Sequence, residues 1–154
     1  MILRAQVALV LVLVSLAGCA VNPVTGDSDF VMMTEQDELN LGSQAYRQAL
    51  EQYPVYQDEK LRAYVQQVGE KVARNSHRSH LQYQFSVVDS PDINAFALPG
   101  GYIFINRGLL AYLNSEAELA AVLGHEVGRV TARHSVRQQG QAQAWNILGQ
   151  AVAI

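Results

Sequence analysis

The string Leu123-Gly124-His125-Glu126-Val127-Gly128-Arg129 comes within one residue of a pattern with defined chemistry. Two histidines at i and i+4 of a helix lie about one turn apart on one face. Both imidazoles can then hold a zinc ion, and a Glu next to the first activates the metal-bound water as general base. His125 and Glu126 fill the first two places, and Arg129 stands at the i+4 position. A guanidinium has no lone pair to offer a metal, stays protonated, and puts positive charge where a dication would sit. Arg129 is also three residues beyond Glu126, the spacing of a helical ion pair. On a continuous helix His134 falls half a turn from His125, and His77 and His80 lie in a polar segment far upstream. Arg129, Arg133 and Arg137 recur at i, i+4, i+8, a basic stripe that reads as a solvated helix face.

The elements that must position these residues are legible in outline. Ser115 with Glu118 three residues on is a capping box, so the helix carrying the string begins there and is expected to run through at least Arg137. Upstream, Thr34 and Asp37 open a helix through about Tyr53, with Leu39, Tyr46, Leu50 and Tyr53 on one stripe. Asp58 opens a second helix through about Arg74, with Leu61, Tyr64, Val65, Val68 and Val72 at helical spacing, a stripe expected in the core. Residues 81–88 alternate apolar and polar, the pattern of a half-buried strand. Two apolar runs, Ile93–Leu98 and Tyr102–Ile105, flank Pro99-Gly100-Gly101 and predict a hairpin with glycines at its turn.

Composition bounds the class. The chain has 154 residues, 49% hydrophobic and 16% charged, with a formal net charge of −3. That suits one globular domain, argues against wholesale disorder, and gives no basic footprint for nucleic acid. The single cysteine, Cys19, excludes an intramolecular disulfide framework and a multi-cysteine zinc site. Arg4 and the apolar run from Ala5 to Ala17 read as a secretory signal, too short for a comfortable transmembrane helix. The run ends in Leu16-Ala17-Gly18-Cys19, which looks like a bacterial lipobox. Residues 1–18 are therefore expected to be a signal peptide, 19–33 a turn-rich tether, and 34–154 the folded domain. By this resemblance Cys19 is lipidated and anchors the protein at the periplasmic face of the bacterial outer membrane, because Ala20 rather than Asp follows it. The apolar end of the chain predicts a C-terminally incomplete domain.

LGHEVGRVTARH resembles the string LGHEIGHVTARH of the zinc metallopeptidases related to the CAAX prenyl protease and HtpX. NPVTGDSDFVMMTEQDELNLG is similar to the opening of that family's bacterial lipoprotein branch, and VVDSPDINAFALPGGYIFINRGLLAYLNSEAELAAVLGHE to its domain from strand to active-site helix. The resemblance implies an α+β, zincin-like fold: two helices, a small sheet with a hairpin, then the long active-site helix. It also implies a zinc-dependent metalloendopeptidase acting on extended or unfolded periplasmic polypeptides. His125 would be the first zinc ligand and Glu126 the catalytic base. Asn94, Ala95, Phe96, Ala97, Leu98 and Pro99 would form the strand beside which substrate lies, with Gly100 and Gly101 shaping the turn. Arg129 stands at the second-ligand position. The family's third ligand, a Glu on a later helix, has no counterpart, since no Asp or Glu follows Glu126. The expectation is therefore an impaired or inactive zinc site. The alternatives are a non-catalytic, chaperone-like binder that captures extended segments by β-augmentation, or a truncated remnant.

Overall fold

The computed structural model describes residues 19–21, 28–30 and 33–138. The expected signal segment and the apolar C-terminal segment from residue 139 lie outside these. Within the expected tether, β1 (Cys19–Val21) pairs antiparallel with β2 (Ser28–Phe30).

Helix α1 (Glu35–Gln52) begins at the expected capping box: the Thr34 hydroxyl accepts from the Asp37 N–H, and the Asp37 carboxylate takes the Thr34 N–H in return. Helix α2 (Glu59–Ala73) starts where the Asp58 carboxylate accepts the Leu61 N–H at 3.0 Å. Its Val65 and Val68 are buried, but Tyr64, expected in the same core, is 39% exposed and donates its hydroxyl to Glu116. Tyr64 sits one position before Val65, at the rim of the buried stripe, where its polar tip reaches solvent.

Strands β3 (Gln84–Val88), β4 (Ala95–Leu98) and β5 (Tyr102–Asn106) form one sheet in the order β3-β5-β4. The expected hairpin is β4 with β5, antiparallel, with Leu98 opposite Tyr102. Its 3₁₀ turn, Pro99–Gly101, needs both glycines: Gly100 has φ +78° and Gly101 φ +100°, a region that side chains disfavour. β3 joins β5 in parallel. It is buried on both faces rather than one, with Ser86 and Val88 enclosed as fully as Phe85 and Val87. The reason is that both sheet faces are covered. Phe85, Val87, Ile103 and Ile105 pack into the core with Val65 and Val68 of α2 and with Leu119 and Leu123. On the other face, Tyr46 of α1 stacks on Tyr102 at 4.6 Å and bonds the Ser86 hydroxyl at 3.1 Å. Phe96 and Phe104 stack beside it at 4.8 Å.

After the short helix α3 (Arg107–Leu110), helix α4 (Glu116–Thr131) carries the HExx string. Ser115 accepts the Glu118 N–H as expected, while the Glu118 carboxylate returns to the Asn114 N–H at 2.7 Å instead of to Ser115. Leu119, Leu123, Val127 and Val130 form the buried stripe; each fully buried side chain of this size contributes about 1.5–3 kcal/mol. α4 does not run to Arg137. It stops at Thr131, and Arg133 turns to φ +52°. That strained backbone is held because the Arg133 side chain donates to Glu38 and to the Met33 carbonyl, both at 2.8 Å. The i, i+4, i+8 basic stripe is broken at its middle member for the same reason. Among the described residues no helix is long and apolar enough to cross a membrane.

Candidate functional site

Glu126 lies seven residues after Leu119 and four before Val130, so helical periodicity carries it into the apolar stripe of α4. It is 4% exposed, and its Oε2 has no hydrogen-bond partner among the described residues. His125, one residue back and rotated about 100°, has its side chain 72% exposed. The ion pair expected from spacing forms loosely, with Arg129 Nε 3.8 Å from Glu126 Oε2. His125 Nε2 stands 4.0 Å from Oε1. Neither reaches hydrogen-bond distance. Burial pushes the Glu126 carboxyl above its ordinary range, opposed in part by the Arg129 and His125 charges.

The described residues do not by themselves make up a zinc donor set. A protein zinc site needs at least three side-chain ligands, and among the described residues no group of three or more His, Cys, Asp or Glu converges. His80 is engaged elsewhere, 3.1 Å from Glu35 at the start of α1, and His77 is exposed. His134 does not lie on a face opposite His125 of one continuous helix. Because α4 ends at Thr131, His134 comes round to line a crevice shared with Arg129, Pro99 and Leu98. The crevice, about 10 Å³, has room for roughly one water.

The strand expected to receive substrate is an edge. Among the described residues β4 pairs with β5 on one side only, and α4 packs beside it. Ala95, Phe96, Ala97 and Leu98 are half-buried, Asn94 is exposed, and Pro99, Gly100 and Gly101 are buried. The Asn94 carbonyl accepts the Asn106 N–H at 3.0 Å, closing the paired stretch. The opposite sheet edge is already closed. Gln66 bonds the Tyr83 carbonyl and the Phe85 N–H as a neighbouring strand would, and Tyr56 N–H reaches the Val87 carbonyl. β4 is thus the edge without a second neighbouring strand among the described residues. The Cys19 side chain lies outside the described set.

A buried charge junction lies beside the site, unmarked by any motif. Glu38 of α1, 1% exposed, accepts from Arg78 Nη1 at 2.8 Å, from Arg78 Nη2 at 3.2 Å and from Arg133 Nε at 2.8 Å. Glu38 lies four residues before Gly42, and both are buried, so a helical face was available as a signal. Its partners lie 40 and 95 residues away and left none.

The model of peptidase family M48 matches residues 59–154, which take in α2, the sheet and α4. The chain belongs to peptidase family M48. Among its M48 relatives, the beta-barrel assembly-enhancing protease of Yersinia pestis is 31% identical over 121 residues, covering 79% of this chain and 25% of the relative. The mitochondrial metalloendopeptidase OMA1 of Schizosaccharomyces pombe is 32% identical over 121 residues, 75% of this chain and 35% of that one. OMA1 of Arabidopsis thaliana is 47% identical over 62 residues, 40% of this chain and 13% of that one. The chain spans about a quarter of the length of the bacterial relatives it matches. The α+β architecture is that of an M48 domain's strand-to-helix portion, as the motif resemblance implied.

Proposed function

We propose that this M48 segment serves as a polypeptide-binding module whose own metal chemistry is impaired. An extended chain adds to the outer edge of β4, main-chain to main-chain, across Ala95, Phe96, Ala97 and Leu98; Asn94 and Pro99, expected within the strand, flank it instead, Pro99 in the buried turn. The observation that carries the reading is the pairing of β4 on one side only among the described residues, beside a helix whose HExx site offers one imidazole and a buried carboxylate. β-Augmentation draws on backbone hydrogen bonds and needs no metal. Peptide-bond hydrolysis with zinc is the family's activity; here Arg129 takes a ligand's place and leaves His125 without a neighbouring donor. The lipobox-like ending at Cys19 supports a lipid anchor at the periplasmic face of the outer membrane, with unfolded envelope polypeptides as the ligands.

The test is anisotropy of a fluorescein-labelled, lysine-capped Val/Thr peptide titrated with the full chain in detergent, with zinc and with chelator, followed by analysis for cleavage. Equal affinity in both conditions and an intact peptide are expected. Chelator-sensitive cleavage would overturn the impairment, and absence of binding would overturn the module reading. Arg129→His supplies two imidazoles one turn apart; with no third donor converging among the described residues, this chain is expected to remain without cleavage.

A further inference from the structure

We propose that Glu38 is a positioning residue, whose single buried carboxylate fixes the β4–β5 turn to the carboxyl end of α4 and so sets where the β4 edge lies relative to the HExx helix. The proposal rests on the reading of β4 as the polypeptide-binding edge.

Three parts of the chain meet at this carboxylate. From the turn, the Gly100 N–H approaches Oε1 at 3.4 Å. From the segment between α2 and β3, Arg78 grips both oxygens, and its Nη1 also donates to the Val130 carbonyl of α4 at 3.3 Å. From beyond α4, Arg133 donates to Oε2. The same stretch of α1 presses on the turn directly: a Cβ at Gly42 would meet the Pro99 carbonyl oxygen at 2.0 Å, and one at Gly100 would meet Leu39 Cα at 3.3 Å. The crevice between β4 and α4 is lined by Glu38 and Arg133 together with Ala97, Leu98 and Arg129. The junction therefore stands at the seam between edge strand and helix.

Its charges balance. Arg78 and Arg133 are met by Glu38 and by Glu35, whose Oε2 accepts Arg78 Nη2 at 2.9 Å. Carboxylate–guanidinium pairs of this kind are directional, so they specify one relative placement of the elements they join, where apolar contacts tolerate sliding. α4 ends at Thr131 because Arg133 is drawn back to Glu38, in a conformation that a non-glycine residue adopts only when its surroundings demand it.

The experiment compares the full chain with Glu38→Gln, which keeps the shape and removes the charge, and with Arg133→Lys, which keeps the charge and removes the Nε bond. Amide hydrogen exchange is followed at Gly100 and across β3, together with affinity for the labelled Val/Thr peptide, well below each variant's unfolding midpoint. The expected result is faster exchange confined to the turn, with β3 unchanged, and about a tenfold weaker peptide affinity in both variants. If Glu38→Gln does not fold, Arg133→Lys alone decides the outcome. Unchanged exchange at Gly100, or loosening spread evenly through β3 and the turn, would overturn the positioning role. If the unaltered chain binds no peptide, the binding reading fails, and the exchange pattern still decides whether Glu38 fixes the turn.

Discussion

Replacing Arg78 with Met probes the junction most directly. The guanidinium is 3% exposed with its residue and makes four hydrogen bonds: two to Glu38, one to Glu35 and one to the Val130 carbonyl. Methionine matches the stem but leaves the Glu38 carboxylate, 1% exposed, with Arg133 as its one close charged partner among the described residues. Removing one member of a buried ion pair costs about 3–5 kcal/mol, because the remaining charge stays desolvated. Arg133 at 2.8 Å holds the loss near the lower end, about 3 kcal/mol. Domains of this size are stable by only about 5–15 kcal/mol, so the change removes a large fraction. Urea unfolding followed by tyrosine fluorescence should show a lower midpoint at an unchanged slope. Replacing Glu38, Arg78 and Arg133 together with Met removes the three buried charges, leaves the half-exposed Glu35 beside His80, and should recover most of the loss, to within about 1 kcal/mol. A single Arg78→Met within about 1 kcal/mol of the unaltered chain, or a triple variant less stable than the single one, would refute the reasoning.

Three further outcomes are expected. The hydrogen bond from Arg78 holds the Glu35 carboxyl below its ordinary range, against partial burial and with help from His80. Its stabilisation is therefore present above the unfolded value and lost as pH falls through the depressed folded value. Glu35→Gln should be less stable near neutrality by about 0.5 kcal/mol, given solvent screening, with the gap closing in acid; a gap constant with pH would contradict this. Gly128→Ala on α4 meets nothing within 4 Å and should raise stability by about 0.5–1 kcal/mol, read as a higher melting temperature by calorimetry. Gly42→Ala drives a Cβ into the Pro99 carbonyl and should lower stability by about 1–3 kcal/mol in the same measurement.

Elements with local signals are legible in the chain alone. Thr34, Asp58 and Ser115 announce their helices because a cap joins residues three apart. The hairpin follows from two apolar runs around a turn that only glycines accommodate. The Leu119–Leu123–Val127–Val130 stripe likewise carries the burial of Glu126 within it, although that consequence appears only once the stripe is seen to pack. The HExx string and the strand before it were sufficient to identify the family, since those residues are contiguous.

Features that depend on residues far apart in the chain emerge only from the assembled fold. The parallel pairing of β3 with β5, and hence the burial of β3 on both faces, comes from covering layers that no alternation within residues 81–88 encodes. The end of α4 is the plainest instance. Local propensity favours a helix continuing through Arg137, but a carboxylate 95 residues upstream turns Arg133 out of it. The gain from satisfying a buried charge exceeds the cost of one residue in left-handed backbone, about 1–3 kcal/mol. That competition also moves His134 into the crevice beside Arg129 and breaks the basic stripe. Charge burial is a property of the assembled fold, and its outcome was settled only when α1, the Arg78 segment and α4 came together.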